Sequence, residues 1–313
     1  MKAVVYRAYG PPDVLRCEEL DTPTAGDDEM LIRIRAASVN PFDWHLMRGS
    51  PFFLRVQTGL GRPKVTRLGV DLAGQVEAVG RNVTRFQPGD EVFGASRGAF
   101  AEYVSARESA FAPKPRNLTF EQAAAVPVAA CTALQALRDK GQLRPGQKVL
   151  VNGAAGGVGT FAVQIAKSFG AVVSGVCSTG NMDLVRSIGA DHVIDYTRDD
   201  FTQGTARYDL ILDAFGARSL SGCRHVLAPG GTYVVVGGPL AVVKALLASR
   251  FVKEPLLVVT ASVKAADLMV LKEFIEANQV TPVIDRRYPL SEISAAIGYL
   301  EQGHARGKVV IIP

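Results

Sequence analysis

Little in this 313-residue chain supports a metal clip, a disulfide framework or a membrane anchor. The four cysteines, Cys17, Cys131, Cys177 and Cys223, stand far apart and form no CxxC pair. That spacing argues against a sequence-local zinc clip and fits a reducing compartment such as the cytoplasm. The most apolar late stretch, 239–262, is broken by Lys244, Arg250, Lys253, Glu254 and Pro255. A membrane span needs about 20 nearly uninterrupted apolar residues, so none is expected. The opening MKAVVYRAYGPPDVL carries charges and a Gly-Pro-Pro break where a secretion signal needs an apolar run, so no targeting segment is expected either. Basic residues exceed acidic ones by 35 to 30 and are spread along the chain, a weak argument for an anionic ligand and none for nucleic acid. What is present is a folded, enzyme-like composition, 48% hydrophobic and 21% charged, with chain enough for two ordinary domains.

Up to about residue 115 short β-like runs alternate with turns: KAVVYRA, EMLIRIRAASV, AGQVEAVG, DEVFGA and AEYVSA. They predict a small, partly closed β-rich domain. Residues 120–138 read as helix with a break at Pro127. From residue 147 strands alternate with helices: QKVLVNG, GVGTFAVQIAKSFG, AVVSGVC, MDLVRSIG, DHVID, YDLILDAF and GTYVVVGG. Strands so uniformly apolar predict a doubly wound parallel α/β sheet covered by helices on both faces. The tail after Asp285 returns to short strands ending in GKVVIIP, which can close the first domain's sheet. The expected division is a discontinuous first domain, 1–121 with 264–313, around a second domain, 122–263.

The main chemical signal lies in VLVNGAAGGVGTFAVQIAKSFGA, where a strand runs through Gly153, Ala154, Ala155, Gly156, Gly157, Val158 and Gly159 into a helix. Glycines let the backbone turn tightly and approach a pyrophosphate, and the helix N-terminus offers unpaired N–H groups and a positive dipole end. The spacing is GxxGxxG, and the surrounding βαβ rhythm is what a dinucleotide site requires. An NAD site of this kind usually has a carboxylate at the end of the second strand. Here Ser178, Thr179, Gly180 and Asn181 follow Cys177 instead, which favours NADPH over NADH. Arg186 is the nearest candidate cation for a 2′-phosphate.

SVNPFDWHLMRG, GVDLAGQVEAVG, FQPGDEVFG, GAFAEYV, AAVPVAACTALQAL, NGAAGGVG and HARGKVVI occur in order along essentially the whole chain. In these motifs the chain resembles the medium-chain dehydrogenase/reductase superfamily, and within it the zinc-free quinone oxidoreductases of the zeta-crystallin type and related enone reductases. The resemblance implies a GroES-like β-rich catalytic domain, a Rossmann domain, an active site in the cleft between them, and a homodimer. It implies that Asn40 reaches the nicotinamide or the substrate oxygen and that Thr132 contacts the carboxamide. Gly237 and Gly238 would border the nicotinamide, Ala214 its ribose, and Tyr196 the adenosine 2′-phosphate. Where bacterial relatives have a lysine on that phosphate, this chain has Asn181. Lys308 resembles a basic residue facing the cofactor, with a surface cation beside the last strand as the alternative.

Zinc alcohol dehydrogenases of the superfamily carry a catalytic Cys, a Gly-His-Glu segment and a further ligand. Asn40 stands at the first position here, and Gly69, Val70 and Asp71 replace Gly-His-Glu. Catalytic zinc needs three protein ligands, so none is expected. Hydride transfer to a quinone or an α,β-unsaturated carbonyl suits a metal-free site, because conjugation spreads the developing charge and positioned hydrogen bonds can stabilise it. His45 either supplies a proton or hydrogen-bonds locally, leaving the proton to water. Asp43 and Arg48 are expected to form an ion pair or a polar wall, and Trp44, Phe52 and Phe53 an aromatic wall or core. The apolar segment 239–255 favours a hydrophobic acceptor. An alcohol dehydrogenase of the same superfamily and a non-catalytic NADPH-binding protein are the competing functions.

Overall fold

In EMLIRIRAASV, residues 29–39, alternation buries Met30, Ile32 and Ile34 and turns Arg33 and Arg35 outward, which makes this the long strand around which the first unit is built. The computed structural model describes residues 1–215, 220–236 and 256–313. The chain begins with β1 (Lys2–Val5), β2 (Arg16–Glu19), β3 (Glu29–Val39), α1 (Pro41–Arg48), α2 (Leu54–Thr58), β4 (Asp71–Val79), β5 (Glu91–Ala95), β6 (Tyr103–Arg107), β7 (Phe111–Pro113) and α3 (Phe120–Ala124). Next come α4 (Pro127–Leu134), β8 (Lys148–Asn152), α5 (Gly157–Ser168), β9 (Val172–Cys177), α6 (Met182–Ser187), β10 (His192–Asp195), β11 (Tyr208–Asp213), α7 (Leu220–His225), β12 (Leu227–Val235) and β13 (Leu256–Val258). It ends with α8 (Ala265–Glu276), β14 (Ile284–Pro289), α9 (Ile293–Glu301) and β15 (Lys308–Ile312).

Two units form, 1–128 with 263–276 and 282–313, and 129–262 with 277–281. The chain leaves the first unit after residue 128 rather than 121, because Ala123 and Ala124 of α3 are fully buried and the helix packs on β3, β4, β5 and β15. Pro127 starts α4, which matches the break read in the sequence. Residues 277–281 go with the second unit because Gln164 of α5 clasps Thr281, donating from Nε2 to its carbonyl (3.0 Å) and accepting from its N–H (2.8 Å).

The first unit's main sheet runs β14-β15-β3-β4-β5-β7, with β6 also on β3. The C-terminal strand β15 lies between β14 and β3, antiparallel to β3, with Val309 opposite Val39. Its apolar run KVVII therefore belongs to the core, beside Met30, Ile32, Leu72, Phe100 and Phe111. The second unit is a parallel sheet in the order β10-β9-β8-β11-β12-β13. Both faces of β8 are covered: Val149, Leu150 and Val151 are fully buried. The strand order reverses direction between β8 and β11, and ligands of doubly wound sheets bind outside the carboxyl ends of strands at such a switch point. The glycine turn after β8 lies there.

Candidate active site

In the first unit, three strand ends bring a polar cluster into an apolar core. β3 ends at Val39 and Asn40 caps α1 with extended backbone (φ −124°, ψ 154°). An N-cap asparagine usually spends its side chain on the helix's first N–H groups. Here the N–H of Asp43 bonds to the Asn40 backbone carbonyl (3.0 Å), and the N–H of Asn40 donates to Asp43 Oδ2 (2.8 Å). The Asn40 amide is thus free to turn inward. Its Nδ2 donates to Asp71 Oδ2 (2.9 Å) and its Oδ1 accepts from Lys308 Nζ (2.7 Å). The Lys308 ammonium also donates to Val39 O (3.3 Å) and Asp71 Oδ2 (3.4 Å). Asp71 further accepts from Ser38 Oγ (3.1 Å) and from the N–H of Val128 (3.0 Å). Ser38, Asn40, Asp71 and Lys308 are all buried, none more than 3% exposed. Lys308 is therefore not a surface cation, since a buried ammonium needs the partners it has found here.

Asp43 is buried with no exposed surface, and its Oδ1 has no hydrogen-bond partner. Burial pushes its carboxyl up to about 7; the hydrogen bond from the Asn40 N–H opposes the rise, the nearby Asp71 adds to it and the Lys308 charge opposes it. Of the ion pair or polar wall expected for Asp43 and Arg48, the ion pair does not form: Arg48 pairs instead with Glu301. His45 Nδ1 donates to Ser50 O (2.8 Å), which leaves Nε2 as the acceptor, and the ring stacks on Trp44 at 3.6 Å. Burial holds His45 below its ordinary value. Trp44 packs partly buried on the core, whereas Phe52 and Phe53 are 66% and 46% exposed and so are not core residues.

In the second unit the cofactor candidates collect at the carboxyl edge of the sheet. Gly153 follows β8 with φ +83°, a conformation glycine adopts freely. Gly156 caps α5, so by helix geometry the N–H groups of Gly157, Val158 and Gly159 have no partner inside the helix. A Cβ on Gly159 would sit 2.0 Å from Gly153 O, so only glycine lets helix and turn close. Ala155 is buried in the same turn. Beneath it, Asp213 at the end of β11 accepts from Asn152 Nδ2 (2.8 Å), Tyr233 OH and the N–H of Phe215 (3.1 Å). Burial and the Asp213 charge hold the Tyr233 phenol far above its ordinary value. Ala214 follows Asp213 and donates to Asn152 O (3.0 Å). Thr132 is buried on α4.

Ser178, Thr179 and Asn181 follow β9, and Tyr196, 43% exposed, follows β10. Asn181 Nδ2 donates to Ser178 Oγ (3.2 Å). One feature of this end has no local sequence signal. Asp195 of β10 pairs in register with Cys177, and its carboxylate accepts the hydroxyls of Thr179 and Thr197 and the N–H of Thr197. The Thr179 hydroxyl holds that carboxyl below its usual range. A carboxylate thus lies at the end of the second strand after all, supplied by the neighbouring strand. Arg186 is engaged with Asp183 (2.9 Å). Gly237, Gly238 and the segment 239–255 lie outside the described residues.

A β-rich unit with a buried polar cluster, joined in one chain to a parallel sheet with a glycine turn at its switch point, defines a dinucleotide-linked oxidoreductase class. Residues 26–116 match the alcohol dehydrogenase GroES-like domain family, and residues 188–311 the zinc-binding dehydrogenase family. The chain is 37% identical to the 2-methylene-furan-3-one reductase of Solanum lycopersicum, covering 100% of this chain and 79% of that one. It is 36% identical to the chloroplastic NADPH-dependent alkenal/one oxidoreductase of Arabidopsis thaliana, covering 100% of this chain and 80% of that one. The quinone oxidoreductase structure from Coxiella burnetii superposes with a TM-score of 0.91 at 30% identity, covering 100% of this chain and 99% of that one. The chain belongs to the medium-chain dehydrogenase/reductase superfamily, in its quinone oxidoreductase branch. Among the described residues no group of three or more His, Cys, Asp or Glu is placed to hold a metal ion, and no helix is long and apolar enough to cross a membrane.

Proposed function

We propose that this protein is an NADPH-dependent reductase of quinones or α,β-unsaturated carbonyl compounds that works without zinc. The carrying observation is the Asn40 amide, which Lys308 and Asp71 hold from both sides and which keeps one N–H for an acceptor oxygen. The curated relatives support the acceptor class, since their names specify a furanone reductase and an alkenal/one oxidoreductase.

When bound, NADPH supplies hydride. The N–H groups of Gly157, Val158 and Gly159 bind its pyrophosphate, and Gly153, Ala155 and Gly156 let the backbone come close. Thr132 and Ala214 line the nicotinamide end, and Ser178, Thr179, Asn181 and Tyr196 the adenosine end. Asn40 donates to the oxygen on which negative charge develops, a role that a positioned donor fills without a metal. Burial disfavours the charged form of His45 and its Nδ1 hydrogen is committed to Ser50, so water protonates the enolate or hydroquinone anion. Metal-free chemistry is supported by the donor set. Asn40 Oδ1 already accepts from an ammonium 2.7 Å away, and a cation there opposes binding of a second one.

NADPH rather than NADH is supported by the absence of a carboxylate directly after Cys177, although Asp195 moderates the preference by engaging the Thr179 hydroxyl. A hydrophobic small-molecule acceptor, a homodimer and the cytoplasm complete the proposal. The test is a panel of quinones and enones assayed with NADPH and NADH in parallel, with metal analysis, chelator treatment and alcohol oxidation as controls. Turnover with alcohols, or loss of activity on chelation, would overturn it in favour of a metal-dependent dehydrogenase. Cofactor binding without turnover of any acceptor would favour a non-catalytic binding protein.

A further inference from the structure

The Asn40 side chain has two orientations related by exchange of its oxygen and nitrogen. With Oδ1 on Lys308 and Nδ2 on Asp71, each group meets its complement. Reversed, the NH2 group would face an ammonium and the carbonyl a carboxylate, both repulsive in a buried setting. Electrostatics alone therefore selects one orientation. Nδ2 then has one N–H on Asp71 and one left over, while the charge on Oδ1 draws electron density from the nitrogen and makes that remaining N–H a better donor.

Stability alone is a weak reason for burying these charges. Burying an ion pair costs desolvation that its mutual attraction often only offsets, and apolar residues of similar volume commonly serve as well. The ammonium directs its hydrogens to Val39, Asn40 and Asp71 of its own unit, so it has no hydrogen left for a direct bond to a cofactor. We propose that Lys308 and Asp71 are positioning residues that clamp the Asn40 amide in a single orientation, a role that rests on the proposed contact of Asn40 with the acceptor oxygen. Lys308 acts on Asn40 directly. Asp71 acts on both, and Ser38 Oγ and the Val128 N–H in turn fix its carboxylate.

The test uses the full chain, NADPH and a simple enone, with Asn40→Ala, Lys308→Met and the two combined. Asn40→Ala lowers kcat by about 100-fold or more, and Lys308→Met by about 10- to 100-fold with KM for NADPH little changed. In the Asn40→Ala background Lys308→Met has almost no further effect, because the group it positions is gone. A general loosening of the fold would multiply the two losses instead, and that result overturns the clamp. Should Lys308→Met alone fail to fold, Asp71→Asn with Lys308→Met removes both charges. That pair is expected to fold with kcat still low, and wild-type kcat in it overturns the inference.

A readout independent of activity is the side-chain amide spectrum of protein labelled with 15N-asparagine, which has six asparagines to resolve. The pair of signals absent in Asn40→Ala is expected to be sharp and widely split in the wild type and to move towards free-amide positions in Lys308→Met. An unmoved pair overturns the clamp whatever the kinetics. A moved pair together with full activity of Asn40→Ala leaves the clamp standing but removes its catalytic role, and the function assigned to Asn40 falls with it.

Discussion

Replacing Asp43 by asparagine is expected to change how stability depends on pH. Burial lifts the Asp43 carboxyl from its ordinary 3.8 to about 7 in the folded protein. A raised carboxyl means that the folded state holds a proton the unfolded chain has already lost, so stability falls as pH rises between the two values. The difference is about three pH units at 1.36 kcal/mol each, or about 4 kcal/mol in all. About 2 to 3 kcal/mol of that falls between about pH 5 and pH 8, since by pH 5 the unfolded carboxyl is already ionised. Asparagine keeps an oxygen for the N–H of Asn40 and does not ionise, so the variant should gain on the wild type by that amount over the same interval. Trp44, the only tryptophan, adjoins Asp43 in α1 and reports unfolding of the first unit by fluorescence in urea titrations at several pH values. Taking the difference between the two proteins cancels carboxyls shifted the other way, such as Asp191 and Asp195. A difference that stays constant to within about 0.5 kcal/mol would mean that Asp43 ionises freely, and the account of a costly orphaned carboxyl would be wrong.

Gly159→Ala places a Cβ 2.0 Å from Gly153 O and 2.8 Å from Ala154 Cα, both backbone atoms. The turn must move, so NADPH affinity should fall at least about 10-fold by fluorescence titration, with about 1 to 3 kcal/mol lost in stability; unchanged affinity would show that the cofactor does not use this turn. Ser178→Asp adds a carboxylate where a 2′-phosphate is proposed, and should erase or reverse the preference for NADPH. Tighter NADH binding by the unmodified protein would refute that assignment. His45→Phe should retain most of its activity, because burial disfavours the imidazolium and the Nδ1 hydrogen is held by Ser50 O. An inactive His45→Phe that still folds would make His45 the proton donor.

The glycine turn was legible because its requirements are local: a strand, four glycines and a helix occur within one short stretch, and Gly153 and Gly159 each have a backbone reason. The division into a β-rich and a parallel unit followed from a change of period near residue 147, and the tail's return to the first sheet from the apolar run KVVII. The exit point near residue 121 was misplaced because α3, small and Ala-rich, reads as the start of the next helical segment until its contacts with β3 and β4 are known. Asp43 and Arg48 lie on the same short helix and so suggested an ion pair, but Glu301, distant in sequence, takes the arginine. A lysine at the head of a buried apolar strand needs a buried acid, but the acid that Lys308 meets, Asp71, lies on β4 beyond β3 and 237 residues away in sequence.

The carboxylates that sequence reading missed share one arrangement. In each case a polar residue at the end of a strand is fixed by an aspartate from an adjacent strand. Asp71 holds Asn40 across 31 residues, Asp213 holds Asn152 across 61, and Asp195 holds Thr179 across 16. The polar residues stand where a strand gives way to a proline-led helix, a glycine turn or a short helical turn. A buried acid on a sheet strand supplies the rigidity, because a sheet moves as a unit and a charge-assisted hydrogen bond in a dry setting is stronger than a neutral one. It also sets polarity: each aspartate takes an N–H or O–H, which decides what the partner has left to offer. Asn40 keeps one N–H to donate, whereas Thr179, its hydroxyl hydrogen committed to Asp195, can only accept. On this physical ground the two polar groups differ in character, and the Asn40 amide is the better built for stabilising negative charge.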